Sequence, residues 1–164
     1  MGGKVSQIAF VAPTIASMTN AQHDHADAAT GGGLAVKAGS VVIYSSQTGI
    51  APETTYQTWV DVSEDRTAFW LNGDHMPADN TIQLVIGVHP AGKAHSYRVY
   101  NETTGAAVVG STAVSAGGSA WEEAVSTDFR SGLASGLNRY HIQVYNATSG
   151  GSDGIIAHAS LLIA

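Results

Sequence analysis

From Ser40 onward the chain is a series of short apolar runs broken by Gly, Asn, Asp and Pro, the pattern of strands joined by tight turns. The runs predict strands near 41–44, 56–62, 82–89, 96–101, 107–111, 120–127, 140–146 and 155–163. Alternation is clearest in Tyr97-Arg98-Val99-Tyr100 and in Tyr140-His141-Ile142-Gln143-Val144-Tyr145. There one face is apolar and the other polar, as an antiparallel strand with one wet side requires. Asn72-Gly73-Asp74, Thr103-Thr104-Gly105, Ala116-Gly117-Gly118 and residues 149–154 read as turns. Ser131 to Leu137 reads as a loop packed by its two leucines. The expected fold is all-β, an antiparallel β-sandwich of about eight strands, jelly-roll-like, with an extended N-terminal arm.

Before Ser40 the pattern differs. Gln7 to Val11 reads as one short strand that Pro13 ends, and Thr14 to Ala29 as a short Ala-rich helical stretch stopped by the glycines at 31–33. Ile8, Phe10, Val11, Ile15 and Met18 form an apolar set too small for a core of its own. Two readings stand side by side, an arm laid on a partner surface or a strand packed on its own domain. The organisation expected is residues 1–39 as arm and linker and 40–164 as the sandwich domain.

Composition narrows the function classes. With a net charge of -6 and only 12% charged residues, the chain is not built to neutralise nucleic-acid phosphates. It has no cysteine, which excludes a disulfide framework and any thiolate metal site. No apolar run approaches the roughly 20 residues of a membrane-spanning helix, and the start is too weakly apolar for an export signal. Neither a nucleic acid nor a membrane is an expected partner.

Catalytic signatures are missing: no phosphate-cradling loop follows the glycine triplet, and there is no HExxH helix and no nucleophile motif. Glu122 and Glu123 are adjacent on a strand and face opposite ways. His75 with Asp79 reads as a polar loop. His89, His95, His141 and His158 are expected on polar strand faces, exposed or at an interface. An enzyme is not expected. Trp59, Phe69, Trp70 and Trp121 read as packing residues, with an exposed Trp beside a polar surface as the alternative, a stacking platform for a sugar ring.

The segments Tyr97 to Ser111, Leu137 to Val144 and Ala157 to Ile163 resemble the β-sandwich modules of tailed-phage virion proteins. Asn20-Ala21-Gln22-His23-Asp24-His25, followed by the Gly-Gly-Leu exit, is similar to the His-x-His linkers of phage tail fibres and other trimeric virion proteins. The resemblance implies a capsid decoration (cement) protein or head fibre, trimeric, made in the host cytoplasm. Its arm would hold the major capsid protein lattice and its β domain would face outward. On an extended segment His23 and His25 project to one side. Three chains on an axis would then present six imidazoles, the donor set by which similar fibre proteins hold a transition-metal ion. The alternative is a pair of interface histidines with no metal. No other cofactor is expected. A carbohydrate-binding receptor module of a tail fibre or adhesin is the rival function, with a glycan as ligand.

Overall fold

The computed structural model describes residues 39–52, 56–76, 78–148 and 154–164, and every statement of structure below concerns these. The chain divides into two units, residues 1–35 and 36–164. The strand expected at Gln7 to Val11, the helical stretch, the glycine triplet and the turn at 149–153 lie outside the described residues.

Ten strands form two antiparallel sheets. They are β1 (Gly39–Ile50), β2 (Trp59–Asp61), β3 (Phe69–Asn72), β4 (Ile82–His89), β5 (His95–Asn101), β6 (Ala106–Ala107), β7 (Ala113–Val114), β8 (Glu122–Val125), β9 (Leu137–Asn146) and β10 (Ile155–Ile163). The first sheet runs β1-β10-β4-β8; the second runs β2-β9-β5-β6, with β3 also on β9 and β7 also on β5. A one-turn helix, α1 (Glu64–Thr67), joins β2 to β3.

β2 and β3 pair with different stretches of the same edge of β9, and β6 and β7 with different stretches of one edge of β5. Ten strands therefore occupy eight positions. Numbered along the chain, these run 1-8-3-6 in one sheet and 2-7-4-5 in the other, the jelly-roll order. The all-β sandwich expected from the sequence is the fold observed.

Alternation places the core between the sheets. Ile82, Leu84, Ile86 and Val88 of β4 face Tyr97 and Val99 of β5 and Tyr140, Ile142 and Val144 of β9, all fully buried. Ile156, Ala159, Leu161 and Ile163 of β10 extend the first layer, and Phe129 packs on the same cluster after its backbone N–H bonds to Ile82 O at 2.9 Å. Phe69 stacks on Tyr140 with ring centroids 5.5 Å apart.

The edge strands β6, β7 and β8 are too short to pair all of β4 and β5, so side-chain oxygens complete the ladders. Ser115 Oγ accepts from His95 N at 2.9 Å, Ser111 Oγ from Val99 N at 3.0 Å, Ser126 Oγ from Leu84 N at 2.8 Å and Asp128 Oδ1 from Ile82 N at 2.8 Å. All three serines are buried. Gly117, with φ +83°, brings its backbone against the β4–β5 connection, where a Cβ would lie 2.5 Å from Ala94 N.

The structure departs from the expectations at several places. Phe69 to Asn72 and Ala113 to Val114 are strands that the sequence pattern did not mark, and the strand expected at 107–111 is only the two-residue β6. The loop ending at Leu137 closes earlier: Leu137 starts β9 and is exposed, while Leu133 packs on the core. His95 is not on a polar face but points inward, 1% exposed, in step with Tyr97 and Val99. Trp70 and Trp121 are 62% and 57% exposed rather than packed.

Candidate functional site

β9 presents Arg139, His141, Gln143 and Tyr145 on the outer face of the second sheet, and its neighbours add Asp61 and Trp59 from β2, Trp70 from β3, and Arg98 and Tyr100 from β5. Register makes them meet: Arg98 lies opposite Gln143, Tyr100 opposite His141, and Trp70 opposite Arg139. Side chains directly opposite in an antiparallel pair are within contact reach.

A continuous line of bonds crosses this face. Arg98, with its guanidinium carbon 4.0 Å from the Trp59 ring centroid, donates from Nε to Gln143 Oε1 at 2.9 Å. Gln143 Nε2 donates to Asp61 Oδ1 at 2.9 Å, and the same oxygen lies 2.7 Å from His141 Nε2. His141 Nδ1 is 2.8 Å from Glu102 Oε1. The other oxygen of Glu102 accepts from Arg139 Nη1, which also donates to Glu64 Oε1 of α1 at 3.0 Å.

Packing explains why the line holds. His141 is on an outer face yet only 3% exposed, because Tyr100 covers its ring at 5.2 Å and the two carboxylates close its ends. A carboxylate only accepts, so both bonds form when both ring nitrogens carry protons. Burial lowers the Arg98 pKa from its ordinary value, with Tyr100 working against that. The Arg139 guanidinium is shifted upward, chiefly by its bond to Glu64.

The chemistry open to this arrangement is limited. Asp61 and Glu102 are a carboxylate pair, but the imidazole fills the space between them where a glycosidic oxygen or water would have to sit. Both ring nitrogens are engaged, so His141 offers no free lone pair to a substrate. What the line leaves available lies at its end. Arg139 uses only Nη1 in the bonds above, and the Trp70 ring beside it stands in solvent.

Of the residues expected to act, His23 and His25 and the arm set Ile8, Phe10, Val11, Ile15 and Met18 all lie outside the described residues. Among the described residues no group of three or more His, Asp or Glu is placed to hold a metal ion. Glu122 and Glu123 do diverge: Glu123 is exposed opposite Gly87, while Glu122 turns toward the end of the core and accepts from Gly117 N at 3.3 Å. Burial, with Glu122 adding to it, pushes the Tyr97 hydroxyl pKa well up. His75 sits in an exposed 3-10 turn whose neighbour Asp74 accepts from Gly136 N at 2.8 Å.

The His141 line was not read from the sequence. Half of its signal was there, since Arg139-x-His141-x-Gln143 and Arg98-x-Tyr100 have the period of one strand face. The register that joins them, and the arrival of Asp61 and Glu102 from distant segments, depend on the fold. Compared with known proteins, the chain matches no family model, no curated protein and no solved structure.

Proposed function

We propose that this chain is a non-enzymatic structural protein of a tailed-phage virion, a decoration or cement protein that binds the assembled capsid through its N-terminal arm. The observation that carries the reading is the jelly-roll order of the sandwich, which falls within the unit of residues 36–164. Jelly rolls are an architecture of capsid proteins, and this one builds its described core from Tyr44 to Leu161. In this reading Ile8, Phe10, Val11, Ile15 and Met18 are the residues that meet the lattice. The sequence likeness to virion β-sandwich modules and His-x-His linkers points the same way.

The mechanism is mass action. A protein that binds only the assembled lattice stabilises it by RT ln(1 + [L]/Kd), about 2.7 kcal/mol per site at a hundredfold excess over Kd. A trimer would multiply that through linked sites, with His23 and His25 where the chains converge. The experiment is sedimentation of the full chain with capsids of the particle encoded alongside it. Saturable binding to assembled capsids and none to free capsid subunits supports the reading; no binding to capsids overturns it.

A further inference from the structure

At the Arg139 end of the bond line, the outer face of the second sheet leaves a large aromatic ring in solvent. Trp70 is 62% exposed, and among the described residues no ring stacks on it and no cation covers it. The other two tryptophans differ. Trp59 is covered by Arg98 and lies against Tyr145, and Trp121 meets the His89 ring edge-on at 5.6 Å.

Trp70 is the direct cross-strand neighbour of Arg139. Glu64 and Glu102 hold that guanidinium by a single nitrogen, Nη1, so it is fixed in place while Nε and Nη2 keep their N–H donors. Glu64 is half exposed, and its second carboxylate oxygen takes no bond from a described residue. The patch thus offers an open aromatic face, fixed N–H donors and a carboxylate acceptor side by side.

That combination matches a molecule with an apolar C–H face and hydroxyls that both donate and accept. The charge balance selects among such molecules. Asp61, Glu64 and Glu102 set three carboxylates against the guanidinium groups of Arg98 and Arg139, in a chain of net charge -6, so the face has no excess of positive charge to draw an anionic ligand. We propose that Trp70, Arg139 and Glu64 form a binding site for a neutral pyranose, its ring stacked on Trp70 and neighbouring hydroxyls bonded to Arg139 and Glu64. The site goes beyond the capsid role and stands or falls separately from it, giving a virion-bound domain a hold on neutral surface glycans.

The test is binding of the full chain to an array of neutral, sialylated and sulfated oligosaccharides, followed by titration of the best neutral hit. Trp70→Ala removes only an exposed side chain and should weaken binding at least about tenfold, a loss of ~1.4 kcal/mol. Trp70→Tyr should retain part of the affinity through its own ring, and Trp121→Ala should bind like the parent. Absence of any neutral hit, hits confined to anionic glycans, or undiminished binding by Trp70→Ala overturns the proposal.

Discussion

His141 shows how one side chain organises a wet sheet face. Its two ring nitrogens join Asp61 of β2 to Glu102 of the turn after β5, bridging segments that share no backbone pairing with each other. Replacing it with Ala leaves both carboxylates facing each other without their shared donor. The expected cost is ~1–2 kcal/mol, toward the low end because Asp61 reaches water. Urea unfolding should show a lower midpoint at unchanged slope; a midpoint equal to the parent's would mean that the line of bonds contributes nothing net. A second residue carries local strain. Ala91 has φ +54° and Gly92 φ +82° in a turn closed by Lys93 N to Pro90 O at 3.1 Å, positive at both central positions as a type I′ turn requires. Alanine is poorly suited to the first of them and asparagine well suited. Ala91→Asn is therefore expected to stabilise by about 0.5 to 1 kcal/mol in the same assay; a loss of stability would contradict the turn geometry.

At the scale of elements, the central strands are held partly by side chains standing in for missing neighbours. Asp128 is the charged case: Oδ1 accepts from Ile82 N at 2.8 Å and from Arg130 N at 3.0 Å, fastening the start of β4. These backbone bonds, that from Ile82 first, lower its carboxyl pKa below the ordinary value. With a folded value below the unfolded one, the unfolded chain binds more protons. The contribution is thus complete above the unfolded pKa and is lost as pH falls through the folded one. Asp128→Asn should flatten the part of the stability curve that falls below about pH 4, while leaving its shape near neutrality unchanged. Identical acid limbs in parent and variant would contradict this. The sequence showed β4 and β10 with their observed bounds, because each is a long apolar run between clear breakers. It hid β3, since Phe69, Trp70 and Leu71 are all apolar and only the fold makes Trp70 point outward. β7, at two residues, is too short to show a period. β1 ran past its expected end to Ile50, because register shifts break the alternation on either side of Ser45. His95 was legible after all: counting back two residues from buried Tyr97 lands on it. The His141 line was legible only in its two in-strand halves, because Asp61 and Glu102 reach the ring from 80 and 39 residues away.

For the whole molecule, the described strands close into a sandwich in jelly-roll order. The second sheet turns outward a polar, aromatic face. The arm, by this account, carries attachment. That division of labour is open to one direct measurement: sedimentation of the full chain with assembled capsids, parent against Phe10→Asp combined with Ile8→Asp. The account predicts saturable binding by the parent and at least a tenfold loss in the variant, about 1.4 kcal/mol, with an unchanged β-type circular dichroism spectrum. Equal binding by parent and variant, or no binding by either, would contradict it.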